Sequence, residues 1–282
     1  MMMARAWLTD RKILAVTGQD RVSFLQGLVS NDVVAAKDDQ IVWAGYLTPQ
    51  GRYLSDFFIW HEPDRLLLDV PAAHAETLKA KLTRFRLRAD VQITMTDLGV
   101  EALWGDDTAT DALPDPRLPQ AGTRRLGVAP AGHEPPPEQE DGQNARSLNA
   151  RSLSAYHAHR IALGMPDASD CESEKTLLIE ANFDWLNGIS FTKGCYMGQE
   201  LTARTHYRGL VKKRLLPVRS SAPLPPAGTP LMADGREVGQ MGSSIGTMGL
   251  AFLRREVWTT PLHHEGATLT PLIPDWFRDE TS

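Results

Sequence analysis

Cysteine is scarce in this chain: Cys171 and Cys195 are the only two among 282 residues. Two thiols are too few for a disulfide scaffold and suit a reducing compartment. The same count limits metal chemistry. A conventional iron–sulfur cluster takes four protein ligands, usually thiolates, so the chain cannot enclose one with its own thiolates, although one thiol can serve a cluster shared across an interface. Long apolar runs are also missing; none reaches the roughly 18 residues of a membrane-spanning helix. The first residues, Met1 to Leu8, lack the apolar core of a secretory signal and the long Arg/Ser-rich stretch of a transit peptide. A strand-like segment follows from Arg11, so a cytoplasmic protein is expected, with no membrane partner. A net charge of −5 describes an ordinary acidic globular chain. Its length predicts two or three domains with sizeable cores.

What is present reads as strands and helices of an α+β layer followed by a small all-β unit. Arg11–Val16 is a predicted strand, and a short helix starts near Asp20, a plausible N-cap, with Phe24, Leu25, Leu28 and Val29 at amphipathic spacing. Ile41–Leu47 and Arg52–Trp60 flank the turn Thr48-Pro49-Gln50-Gly51 and predict a hairpin. A strand at Arg65–Val70, a helix over 72–87 and strands at Val91–Thr96 and Val100–Trp104 follow. Residues 130–151 are polar and proline-rich and run into a tandem Asn-Ala-Arg-Ser-Leu, which predicts a flexible loop. A helix over Ser152–Leu163 closes at Gly164. From Gly209 onward short β segments alternate with Gly/Pro punctuation, and Asp234-Gly235 marks a tight hairpin, as in a small barrel. The expected division is 1–208 and 209–282.

The richest segment is Lys193-Gly-Cys-Tyr-Met-Gly-Gln-Glu200. It places Cys195 beside glycines and a lysine, directly before a helix-like run from Gln199 to Tyr207. A thiol near a cation and a helix N-terminus is pushed towards thiolate, the form that binds soft metals and attacks electrophiles. Lys193 is either an exposed loop lysine or an anion binder. Gln199 and Glu200 either cap the helix or contact a ligand, and Tyr196 either packs or recognises. Cys171, between Asp170 and Glu172, has neighbours that raise a thiol pKa and is expected to be inert. His263-His264 lacks a third ligand at metal spacing and is expected in a loop.

The octapeptide resembles the Lys-Gly-Cys-aromatic-x-Gly-Gln-Glu pattern of the folate-binding YgfZ family, relatives of the glycine-cleavage T-protein. Its continuation Leu201-Thr-Ala-Arg-Thr-His206 and Lys213-Arg-Leu215 are similar to the iron–sulfur cluster assembly-factor branch of mitochondria and alphaproteobacteria. Phe24-Leu-Gln-Gly-Leu28 with Ser30-Asn-Asp32, Leu47-Thr-Pro-Gln-Gly-Arg52 with Asp56, and Gly249-Leu-Ala251 resemble the family's other recurrent stretches. The resemblance implies a GcvT-like cloverleaf of three subdomains, the first two α+β and intertwined, the last a small β-barrel. It implies a tetrahydrofolate site from a central channel, and it puts a eukaryotic member in the mitochondrial matrix. Asp56 falls where T-proteins carry the aspartate that handles the folate amine, and Trp60 at an aromatic position of that pocket. Lys193, Gln199, Glu200 and Arg204 are its other candidate folate contacts.

The function this implies is accessory: assembly or repair of [4Fe–4S] clusters with an A-type iron–sulfur carrier protein, Cys195 lending one ligand to a transient shared cluster and acting as the reactive residue. Classical turnover is not expected. If there is any, it is folate-dependent aminomethyl transfer by Asp56, although Ser55 stands where T-proteins pair a second acid. A tRNA-modification accessory is a third reading, resting on Arg204, His206, Arg208, Lys212, Lys213, Arg214 and Arg219. The aromatic interleaving there is thin, so direct nucleic-acid binding is not expected.

Overall fold

The computed structural model describes residues 4–36, 40–105, 109–129, 152–209 and 211–278. The segment 130–151, expected as a flexible loop, lies outside them. The chain opens with β1 (Ala4–Trp7), then runs through β2 (Arg11–Thr17), α1 (Arg21–Gln26), β3 (Ile41–Leu47), β4 (Tyr53–His61), β5 (Arg65–Pro71), α2 (Ala75–Phe85) and β6 (Gln92–Met95). β2 to β6 form one antiparallel sheet, ordered β3-β4-β5-β2-β6. β7 (Gly99–Trp104), β8 (Leu113–Pro114) and β9 (Thr123–Gly127) then turn back to pair with β1 in a second sheet, ordered β1-β7-β9-β8. The N-terminal strand thus belongs to the second sheet while the next five build the first, which interleaves the two α+β units. α3 (Leu153–Ala162) leads through an irregular segment to α4 (Gln199–Tyr207).

The third sheet contains β10 (Lys213–Ser220), β11 (Pro230–Ala233), β12 (Arg236–Ile245), β13 (Met248–Arg254), β14 (Leu262–His264) and β15 (Ala267–Pro271). Its order is β11-β12-β13-β10-β15-β14, and its two edge strands approach each other, so it curls into a nearly closed barrel. Asp234 and Gly235 have φ of 49° and 73°, the left-handed pair that a two-residue hairpin loop requires. His263 and His264 lie on β14 rather than in a loop.

The first sheet is buried on both faces, because successive side chains of a strand point to opposite sides. Leu14, Val16, Ala44, Phe57, Leu66 and Leu68 pack under α1 and α2 with Leu25, Leu78 and Leu82. The alternate set, including Ile13, Trp43, Phe58, Trp60 and Leu67, joins the main core with Tyr156, Phe183 and Tyr196. Helix α3 closes at Gly164, φ +75°, as its sequence predicts, and Ser152, expected as its first residue, is instead its N-cap, Oγ accepting from Ala155 N at 3.1 Å. Asp20 occupies the N-cap position of α1 but makes no side-chain cap bond. Its carboxylate accepts from Asp90 N at 2.8 Å instead, while Asp90 accepts from Gln19 N at 3.1 Å. The two aspartates pin the start of α1 to the loop before β6.

Candidate functional site

Three recurrent stretches, far apart in sequence, meet around the loop that carries Cys195. Lys193 Nζ donates to the carbonyl oxygens of Val29 and Asn31 at 2.7 and 2.6 Å, and its charge lies 5.2 Å from the centre of the Tyr196 ring. Met197 N donates to Gly27 O at 3.0 Å, and Ser190 N to Ser30 O at 3.0 Å. From the other direction, Ser30 Oγ donates to Gly188 O at 2.6 Å, and Asn31 Nδ2 to Asn187 O at 2.7 Å. Tyr196 is buried in the main core. The foot of the loop rests on the β3–β4 turn. Gly198 has φ +80°, and a Cβ there would lie 2.4 Å from Thr48 O. Gly51, also at φ +80°, would place a Cβ 2.7 Å from Gly198 O. Each glycine is required twice over, by its left-handed backbone and by the closeness of the other strand.

Only the tip is free. Gly194 and Cys195 are both exposed, and nothing among the described residues lies within 4 Å of a Cβ built on Gly194. Cys171 is buried, and its thiol is pushed well above the ordinary range by that burial, with Asp56, Asp170 and Asp167 adding to it. The expectation that Cys195 is the available thiol and Cys171 the inert one agrees with this placement. Among the described residues, no group of three or more His, Cys, Asp or Glu side chains could hold a metal.

The neighbours of Cys195 have structural duties. The Lys193 ammonium is half-buried and held to about pKa 8 by that burial, with Asp32 acting in the opposite direction. It is a clamp on the 29–31 loop rather than a loose surface lysine. Gln199 Oε1 accepts from Tyr196 N at 3.3 Å, which closes the first turn of α4 from the side-chain side. Glu200 is exposed in that first turn, where an acid suits the helix dipole. Arg204 is exposed one turn further on. Beside them His206 stacks on Phe191, with ring centres 3.9 Å apart, and Tyr207 is 71% exposed.

Asp56 and Trp60 lie elsewhere. They share a face of β4 with Phe58, as strand alternation predicts, but that face is packed. Asp56 is 4% exposed; its Oδ2 accepts from Trp43 Nε1 at 2.8 Å and its Oδ1 from the Tyr53 hydroxyl at 2.7 Å. Trp60 is 6% exposed. Around Phe58 the space is filled by the guanidiniums of Arg124, Arg117 and Arg11, at 3.9, 4.8 and 5.4 Å from the ring centre. Asp69 receives Arg11 at 2.6 Å and Arg124 at 2.5 Å, while Asp115 receives Arg117 at 2.7 Å. Two cavities beside α2, of about 550 and 340 Å³, are lined by none of Asp56, Trp60, Lys193, Gln199, Glu200 and Arg204. The residues expected to hold tetrahydrofolate are therefore spread over the closed core, the loop clamped by Lys193 and helix α4, and they line neither cavity. The buried arginine layer was not anticipated. Arginines on strands read as solvent-facing, and Asp69, the partner of Arg11 and Arg124, comes from another strand.

The basic stretch divides in the same way. Arg204, Arg208, Lys212 and Arg219 are exposed, but Arg214 is buried. It donates to Asp184 at 2.9 and 3.0 Å and to Ile179 O at 2.8 Å, and lies 3.4 Å over Trp185. It ties the barrel to the irregular segment and cannot belong to a polyanion-binding face.

The barrel, residues 212–279, matches the CAF17 C-terminal beta-barrel domain family. The whole chain adopts the fold of the glycine cleavage system aminomethyltransferase T from Bartonella henselae, with a TM-score of 0.72 over 96% of this chain and 84% of that one, at 15% identity. The mitochondrial iron-sulfur cluster assembly factor IBA57 homolog of Mycosarcoma maydis is 37% identical over 83% of the chain and 60% of its own length. That of Neurospora crassa is 35% identical over 82% of the chain and 57% of its own length. The chain thus spans a little under two thirds of these fungal relatives. Their names place them in mitochondria, which agrees with the matrix expectation for a eukaryotic chain and lends nothing to the cytoplasmic one. The human mitochondrial iron-sulfur cluster assembly factor IBA57 is 34% identical over 96% of the chain and 84% of its own length. With that coverage, and with the octapeptide held by the other recurrent stretches, the chain belongs to the IBA57 family of iron–sulfur cluster assembly factors.

Proposed function

We propose that the chain assists the assembly or repair of iron–sulfur clusters, [4Fe–4S] clusters in particular, by lending Cys195 to a cluster held mainly by an A-type carrier protein. The observation that carries this reading is the exposure of one thiol at the tip of a loop anchored from several sides. On binding, the Cys195 thiol gives up its proton and the thiolate donates an electron pair to one iron. The carrier supplies the remaining ligands, so the cluster is cargo passing through the interface. Tyr207, Arg204 and Arg208, exposed on the helix that follows the loop, give the docking face an aromatic and cationic character that suits an acidic partner surface. Aminomethyl transfer is disfavoured because both oxygens of Asp56 already accept buried hydrogen bonds. No step of the proposed role uses a folate.

The test mixes the protein with a cluster-loaded A-type carrier and follows co-elution and visible absorbance. The native chain is expected to form a complex and change the cluster spectrum. Cys195→Ala is expected to lose the spectral change and weaken the complex. If Cys195→Ala leaves both unchanged, the shared-ligand role is wrong.

A further inference from the structure

On the α2 side of the first sheet, away from Asp56, two adjoining cavities of about 550 and 340 Å³ share Tyr46, Leu54, Lys81 and Glu174. Either volume falls in the range of small-molecule sites. Tyr46 lines both and is 1% exposed, yet its hydroxyl has no hydrogen-bond partner among the described residues. A buried hydroxyl without a partner is unfavourable, and native chains rarely retain one without a reason. Burial raises its pKa to about 12, so it remains a donor at neutral pH.

The walls supply the rest of a binding site. Leu54, Met197, Phe85 and Leu87 provide an apolar side, and Phe85 and Leu87 are 44% and 87% exposed. Lys81 and Arg84, one turn apart on α2, are placed at the same opening, and neither has an ion-pair partner among the described residues. Two residues at the rim, Leu87 and Glu174, have φ of 47° and 63°. A side-chain-bearing residue in the left-handed region is strained, and such strain concentrates at ligand-binding positions. Glu174 is held there by its N–H donating to Tyr53 O at 2.7 Å. With two cations against one carboxylate, the groove favours a negative ligand.

We infer that this groove is a binding site for a small organic anion with an apolar body, its acidic group at Lys81 and Arg84 and a polar atom accepting from Tyr46. The site does not depend on the role proposed for Cys195.

The probe is 8-anilinonaphthalene-1-sulfonate, an apolar aromatic anion that fluoresces when sheltered from water. The full chain is expected to bind it saturably at one site. Lys81→Glu with Arg84→Glu is expected to weaken binding at least tenfold. Arg219→Glu with Arg236→Glu, an equal charge change on the exposed barrel surface, is expected to leave it as in the native chain. Decanoate should displace the probe and decyltrimethylammonium should not. Tyr46→Phe separates a ligand role from a packing role: it removes an unpartnered hydroxyl, so the melting temperature should hold or rise while probe affinity falls several-fold. Native-like binding by the Lys81/Arg84 variant, or equal displacement by the cationic amphiphile, overturns the inference. So does native affinity in Tyr46→Phe.

Discussion

Gly194 and Gly198 lie in the same loop and have similar backbones, with φ of +94° and +80°, but differ in the room around them. Replacing either by alanine brings the left-handed penalty of an L residue, about 1–2 kcal/mol. At Gly194 nothing else follows, since no atom of the described residues lies within 4 Å of the added carbon. At Gly198 the added carbon would lie 2.4 Å from Thr48 O, 2.9 Å from Leu47 Cβ and 3.1 Å from Gly51 Cα. Two of these three neighbours are backbone atoms, so rotation of a side chain cannot relieve the clash, and overpacking adds about 1–3 kcal/mol. Gly194→Ala is therefore expected to cost about 1–2 kcal/mol and Gly198→Ala about 2–5 kcal/mol. Urea unfolding gives the two values. Iodoacetamide labelling of Cys195 in the native state reports separately on the loop, because Cys171 is buried. Gly198→Ala should alter the labelling rate by lifting the loop from the β3–β4 turn. Equal destabilisation by the two substitutions would refute the tight seating of Gly198.

Other expectations rest on the same geometry. In the native protein one thiol should react with iodoacetamide, and Cys195→Ala should abolish that reaction, since burial keeps Cys171 protonated. Arg214→Met should destabilise the fold by about 3–5 kcal/mol in urea titrations, as it strands the buried Asp184, while Arg219→Ser should stay within about 0.5 kcal/mol. Asp56→Ala leaves the Trp43 indole N–H and the Tyr53 hydroxyl without an acceptor, at about 1–3 kcal/mol each; a loss below about 1 kcal/mol in the same titrations would contradict the closed packing described. Lys193 gives a pH signature. Burial lowers its folded pKa from 10.5 to about 8, so between those values the unfolded chain binds more protons. The contribution of this lysine to stability therefore rises with pH across that window, and Lys193→Met should flatten that part of the stability–pH curve.

Most of the elements that surround the site were legible because they carry local signals. The β3–β4 hairpin was readable from Thr48-Pro49-Gln50-Gly51 between apolar runs, α4 from the helix-like run after the glycines, and the barrel from its turns. Short strands with polar composition were not. β1 depends on pairing with the distant β7, β8 and β14 are two- and three-residue strands too short to show an alternation, and the Thr123-Arg124-Arg125 segment of β9 reads as exposed. Arg124 is buried only because Asp69 and Asp115 arrive from elsewhere in the chain. The same limit explains Asp56. Its face on β4 followed from alternation, but whether that face opened on a channel or on Trp43 and Tyr53 depended on packing that no local pattern records. Lys193 presented the same problem: its acceptors lie 164 and 162 residues upstream.

The investment in one loop has a physical rationale. A protein that supplies all the ligands to a metal gains from several bonds formed within one ordered frame. A chain that offers a single ligand has only one bond against which to set the ordering of its loop. Fixing backbone costs about 1–2 kcal/mol per residue, so an unanchored loop of about five residues would lose about 5–10 kcal/mol on engaging the metal. In the role proposed for Cys195, most of that ordering would be in place before a partner arrives. Lys193 fastens one side of the tip, Met197 N and the buried Tyr196 ring the other, and Gly198 rests on the turn beneath. Preorganisation of this kind raises affinity by reducing what binding must order. It also explains why so much of the octapeptide does structural work. Lys193, Tyr196, Gly198 and Gln199 hold the loop, which leaves Cys195 facing outward.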